Sequence, residues 1–209
     1  MDARTGQGEI LRLGQGDAAT VDLSLLGPGH LSYPHVVADG GETYLLPEMA
    51  QVGPQRLVRL AFGTGQAVAH EPLQGLEDAH LWDPTLLQHE GRWWLFAGFP
   101  GSATDVVHLW LADDLFGPYR PHPSSPIVLD PSRASDGWPR PATGGRLFRP
   151  GQDNRRGYGD GVVLSEIKRL DPDGYEEVPT TRLTVPGRRG PQTVVQVGSR
   201  LLVDLYTEA

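Results

Sequence analysis

A chain of 209 residues can bury roughly 70% of the surface that its unfolded form exposes, so it needs no covalent staples to hold a core. It has no cysteine, which excludes disulfides, thiolate metal sites and cysteine nucleophiles, and leans the expected location towards the cytoplasm. With 18 basic against 26 acidic residues and a formal charge of −8, a nucleic-acid backbone is not an expected partner.

The start, "MDARTGQGEI", lacks the basic cluster and apolar run of a signal peptide. No apolar run reaches the length of a membrane span. The 27 glycines and 19 prolines are scattered, as many turns between short strands require. Five tryptophans and six tyrosines supply rigid stacking surface, for a core or for a sugar site.

In chain order, "GEILRLG" reads as a single edge-like strand, and a hairpin follows from Leu31 to Leu46. Its residues Pro34, Val36, Val37, Gly41, Tyr44 and Leu45 recur about 50 residues later as Pro84, Leu86, Leu87, Gly91, Trp94 and Leu95. Each copy is an apolar strand, a tight turn built on Asp or His plus Gly, and an aromatic and aliphatic strand. "RLVRLAF" and "VVHLWLAD" repeat at the same interval. A third unit begins at "RPATGGRLFRPG" and continues through "GYGDGVVLSEIKRL"; in the last, "PQTVVQVGSRLLVDLY", Gly198 separates two apolar strands. Trp93 and Trp94 fall on opposite faces of one strand, one packed between units and the other facing out or towards a neighbour. "DAAT" and "SEIKRL" are too short for helices. No linker interrupts residues 1–209, which read as one all-β domain, and the period predicts a β-propeller whose inner strands converge on a central channel.

The motifs "HLSYPHV", "YLLPE", "DPTLLQHEGRWWLF", "VHLWLADDLFGPYRPHPSSPIV", "RPA", "GRLFRPGQD" and "YGDGVVLSEI" occur in order from about His30 to the carboxyl end. Together they resemble the N-terminal domain of glucosamine inositolphosphorylceramide transferase and its bacterial relatives. Those domains are similar to the five-bladed propellers of glycoside hydrolase families 43 and 32. The resemblance implies a carbohydrate-related propeller with an acidic channel that takes a glycoside or a sugar phosphate, hydrolysing it or serving glycosyl transfer. There are two departures. An upstream hairpin opened by Asp-Pro has no counterpart before His30, so the first blade is expected to be absent or truncated, leaving about four units, with an oligomer or partner chain as one way of completing the ring. Where relatives show Gly-x-His-Thr, this chain has Gly190, Pro191, Gln192 and Thr193.

A glycosidase needs two carboxyl groups facing one sugar, one of them kept protonated. Asp83, beside Pro84, replaces the Tyr33 of the earlier repeat and is the first candidate; as a bland alternative it caps a strand. Glu48 ends an apolar strand, where a charge is either functional or exposed. Asp153, paired with Gln152, suits gripping of sugar hydroxyls or a polar turn. Glu166 reads as an inward acid or as the solvent side of an alternating strand. Arg140, between two prolines, is poised for a carboxylate or phosphate, or equally to brace Asp83 or Asp153. Tyr33 and Trp82 offer rings for stacking on a pyranose, and His35 adjoins Tyr33 as a site or core residue. No metal or cofactor is expected: the histidines lack helical metal spacing, and "LDPDGYEE" reads as turn chemistry. Phosphate-loop, dinucleotide and serine-hydrolase motifs are absent. The functional classes are a carbohydrate-active enzyme, a non-catalytic sugar-recognition module, and a structural propeller for protein partners.

Overall fold

The computed structural model describes residues 8–13, 18–61, 63–134, 139–157, 160–188, 190–191, 193–197 and 200–205. Gln192 and Gly198, which carry two of the expectations above, lie outside the described residues.

Strands β1 (Leu11–Leu13) and β2 (Ala18–Thr20) pair antiparallel, so "GEILRLG" has a partner in the segment containing "DAAT". Three four-stranded meanders follow. The first blade runs β3 (Ser32–Asp39), β4 (Glu42–Glu48), β5 (Arg56–Leu60) and β6 (Ala67–Pro72). The second runs β7 (Trp82–His89), β8 (Arg92–Gly98) and β9 (Val106–Ala112). Its outer position is divided between β10 (Arg120–Pro121) and β11 (Val128–Leu129), which both pair with β9. The third runs β12 (Arg140–Pro141), β13 (Leu147–Gln152), β14 (Val162–Asp171) and β15 (Gly174–Leu183). A last hairpin joins β16 (Val194–Val197) to β17 (Arg200–Val203). Among the described residues, helical geometry is confined to two three-residue turns.

The repeat in sequence is a repeat in backbone. Three hairpins turn on Gly40–Gly41, Glu90–Gly91 and Gly144–Gly145, each with positive φ at both residues. In the first two hairpins the loop is two residues long, and a loop of this hand matches the right-handed strand twist; the third loop is longer, between Pro141 and Leu147. Asp39 and His89 are paired strand ends, opposite Glu42 and Arg92, and not the turn centres that the sequence implies.

Period-two alternation then builds the seams between blades. Leu46, Leu57, Leu86, Trp93, Leu95 and Trp110 fill the layer between the first and second blades. Their neighbours Leu87, Trp94, Phe96, Leu109 and Leu111 face the other way and meet Leu147, Ile167 and Leu170 of the third blade. Both adjacent tryptophans are therefore packed, one in each seam, and neither faces out. A third apolar cluster joins Ile10, Leu23 and Leu31 to Leu45, Met49 and Val58. Two histidines tie each blade to the next. His35 Nε2 lies 2.8 Å from the Leu86 carbonyl. His122 Nδ1 accepts the Ser124 N–H at 3.0 Å, so its Nε2 carries the proton and donates to the Asp171 carbonyl at 2.8 Å.

Candidate functional site

The repeat diverges chemically where the inner strands begin. In β3, Ser32 pairs with Glu48 and His35 with Leu46; in β7, Trp82 pairs with Gly98 and Thr85 with Phe96. Each inner strand thus carries one extra residue, a bulge that re-aims the side chains within it. Tyr33 (φ 43°) and Asp83 (φ 51°) occupy equivalent bulge positions in the left-handed region. A side chain held there costs on the order of 1–3 kcal/mol, and such strain gathers at ligand sites.

The ends of the second strands diverge as well. Glu48 is half-buried opposite Ser32, Gly98 lies opposite Trp82, and Gln152 opposite Ala134. Equivalent positions thus carry a carboxylate, no side chain, and an amide that is 0% exposed. Glu48 reaches into the second blade, where its Oε2 accepts the Asp83 N–H at 3.2 Å. Two acids 35 residues apart in sequence therefore meet at one point.

Arg140 approaches from the third blade. It is half-buried, and its Nη2 donates to the Val194 carbonyl of the last hairpin. Burial pulls its pKa below the ordinary guanidinium value, and the Tyr33 phenol acts in the opposite sense. Glu48 with Asp83 joins the first blade to the second, and Arg140 with Val194 joins the third to the last hairpin. Trp82, half-buried, directly precedes Asp83.

Three other candidates are turned elsewhere. His35 is buried, and burial lowers its pKa to about 4, with the Leu86 carbonyl opposing. It is a neutral strut between blades. Asp153 accepts from Arg155 Nε and Nη2 at 2.9 and 2.7 Å, and from Arg182 Nε at 3.0 Å. Those bonds, with Arg155 foremost, hold its pKa at about 2 against the effect of burial. Arg182 lies on β15, so the Asp153 carboxylate is engaged by the last strand of its own blade. Glu166 faces away from the seam with the second blade and meets Lys168 Nζ at 2.6 Å. Gln152 continues the ladder, its N–H donating to the Ala134 carbonyl at 2.8 Å.

Sequence reasoning passed over Arg149 and Glu177. Arg149 Nε and Nη2 donate to the two Glu177 oxygens at 2.8 and 2.7 Å, with both side chains 2% exposed. Tyr175 donates to Glu177 at 2.6 Å, Arg133 Nη1 pairs with the same carboxylate, and Arg149 Nη2 bonds the Arg133 carbonyl at 2.9 Å. Burial opposes the charge of both partners, but each outweighs it for the other, so Arg149 titrates above and Glu177 below its ordinary value. The available signal was an arginine on the same strand face as Leu147.

A cavity of about 570 Å³ opens beside β2, lined by Ile10, Thr20, Asp22, Leu23 and Gly29 among others. It includes none of the candidate residues. Among the described residues there is no group of three or more His, Asp or Glu able to hold a metal ion. Nor is any helix there long and apolar enough to cross a membrane.

Comparison with known proteins agrees with this architecture. The family model described as "Glucosamine inositolphosphorylceramide transferase 1, N-terminal" matches residues 14–193. The transferase of that name from Arabidopsis thaliana is 28% identical over 172 residues, covering 77% of this chain and 21% of its own length. That from Oryza sativa subsp. japonica is 34% identical over 163 residues, covering 72% and 21%. The chain thus spans about a fifth of the length of these plant relatives. Among solved structures, the GH43 protein BlXynB of Bacillus licheniformis superposes with a TM-score of 0.57 at 18% identity, covering 81% of this chain and 35% of its own. The exo-β-1,3-galactanase 1,3Gal43A of Clostridium thermocellum gives 0.53 at 12% identity, covering 71% and 34%. At such identities the likeness is one of fold: an all-β propeller of the five-bladed type.

Proposed function

Because the chain belongs to the family of glucosamine inositolphosphorylceramide transferase N-terminal domains, we propose that it is a single sugar-recognition propeller with Asp83 as the essential carboxylate of its axial site. The contact that carries this reading is the bond from the Asp83 N–H to Glu48. It fixes one acid by means of the other, at the position where the repeat exchanges Tyr33 for Asp83. A carboxylate accepts from vicinal sugar hydroxyls, while Tyr33 and Trp82 offer rings to the CH face of a pyranose.

Recognition is favoured over hydrolysis by the second acid. Glycosidases place a protonated carboxylic acid opposite a base. Here Asp153 is spent on Arg155 and Arg182, and Glu48 is engaged by the Asp83 N–H. The positive φ of Asp83 favours a second reading, turnover of a glycoside, since strain of this kind also marks reaction centres.

An oligosaccharide array probed with the purified chain, alongside Asp83→Asn and Glu48→Gln, tests the proposal. Defined glycans are expected to bind, and Asp83→Asn to weaken them tenfold or more while the far-ultraviolet spectrum is unchanged. A blank array with wild-type protein ends the sugar reading. Release of reducing sugar that Asp83→Asn abolishes establishes turnover.

A further inference from the structure

The two terminal hairpins copy different halves of a blade. β16–β17 copies the inner half: Val197 pairs with Arg200 at the turn as Asp39 pairs with Glu42 and His89 with Arg92. β1–β2 copies the outer half. Thr20 lies opposite Leu11 as His70 lies opposite Val58, and Leu23, Leu26 and Leu31 return 50 residues later as Leu73, Leu76 and Leu81. The turn that follows is the same as well, with the Leu26 N–H donating to the Leu23 carbonyl at 2.9 Å and the Leu76 N–H to the Leu73 carbonyl at 3.3 Å. One hairpin therefore wants outer strands, and the other wants inner ones.

In the first blade the halves meet where β4 pairs with β5, with Leu45 opposite Val58 and Tyr44 opposite Arg59. Transferred to the terminal hairpins, that register sets Val203 of β17 opposite Leu11 of β1, and Leu202 opposite Arg12. Among the described residues β17 pairs with β16 alone and β1 with β2 alone, so each has an edge open to another strand. Burial shows what the edges lack. Leu45 and Val58 are 2% and 0% exposed, whereas their counterparts Val203 and Leu11 are 43% and 53% exposed. A two-stranded hairpin is marginal by itself, and pairing of the two halves makes a four-stranded sheet like the other blades. Edges carried by one chain meet at an effective concentration on the order of millimolar, well above that of a second copy in dilute solution.

We infer that β17 and β1 join edge to edge within one chain, a clasp that completes a fourth blade and closes the ring. The β1–β2 unit packs on the first blade, and Arg140 of the third holds the Val194 carbonyl of β16, so the clasp ties the third blade to the first through one sheet. It is independent of what the axial site binds.

The chain has no cysteine, so an introduced pair reports without background. Leu11→Cys with Val203→Cys is oxidised in the whole chain beside Leu11→Cys with Leu129→Cys, an exposed position on β11 of the second blade that measures chance encounter. Facing residues of an antiparallel pair stand about 4.5–5.5 Å apart at Cα, within reach of a disulfide. The bridge between positions 11 and 203 is expected to form within one chain, at least tenfold faster than that between 11 and 129. Equal rates overturn the clasp, and a bridge that joins two chains overturns closure within one chain in favour of a second copy. The unsubstituted protein gives a reading that no misfolded variant can hide. By hydrogen exchange, the amides of Leu11–Leu13 should be protected to within tenfold of those of Arg56–Leu60, the strand they copy. Exchange at the rate of an unstructured peptide overturns the proposal.

Discussion

The seams on either side of the second blade are built from the same alternation and closed by different chemistry. Between the first and second blades the filling is apolar, Leu46, Leu57, Leu81 and Leu95 around Trp93, with His35 as the neutral strut. Between the second and third, Trp94, Phe96 and Leu109 meet a face in which Arg149 and Glu177 lie among Leu147, Ile167 and Tyr175. The first seam joins two blades by hydrocarbon packing and hydrogen bonds to the backbone, with no buried ion pair among its described residues. The ions of the second therefore do something else. Arg149 and Glu177 together hold Arg133, and Asp130 holds it from the other side. That segment ends at Ala134, opposite Gln152 at the end of β13. A buried ion pair is weak for stability but specific in direction, and here it orients a connection.

The largest expected effect tests the ionic seam. Glu177→Ala leaves Arg149 charged and buried, which should cost about 3–5 kcal/mol in urea unfolding. Arg149→Met with Glu177→Leu should return most of it, while loosening protease protection around Asp130–Ala134. A double variant as unstable as Glu177→Ala would show that the pair itself holds the blades together. The apolar seam answers to volume: Leu46→Ala should cost roughly 3 kcal/mol through the cavity left behind, with no change in salt dependence.

Acid separates the struts. His35 has a folded pKa of about 4 against 6.5 when free, so below pH 6.5 the unfolded chain binds the extra proton. Stability then falls as pH drops from 6.5 to 4, by up to about 3 kcal/mol. His35→Gln should flatten that limb. Asp153, ordinarily near 3.8 but held at about 2, contributes stability that is present above 3.8 and lost below it, so the loss in this lower window should survive the His35 change. The smallest effect tests strain: Asp83→Gly should raise stability by about 1 kcal/mol by relieving φ, yet abolish glycan binding.

Much of this fold was legible because a hairpin repeat fixes turn, alternation and face together: the Gly-containing turns and the spacing of Val36, Leu45, Leu86 and Leu95 required neighbouring sheets. Ala18–Thr20 escaped notice because three residues carry no period. The candidate site was read from neighbours in sequence. Asp83 stood out through its repeat partner Tyr33, and Arg140 through its prolines. Asp153 misled because its direction is set by Arg182, 29 residues away on the outer strand, a pairing that no local pattern announces. Glu177 was hidden for the same reason, being defined by an arginine 28 residues earlier.

Trp93 and Trp94 sit side by side in the chain and belong to different seams. Labelled with fluorotryptophan, they become two nuclear probes a single peptide bond apart, each blind to the seam the other senses. Separate resonances that broaden at different denaturant concentrations would reveal whether one seam opens before the other.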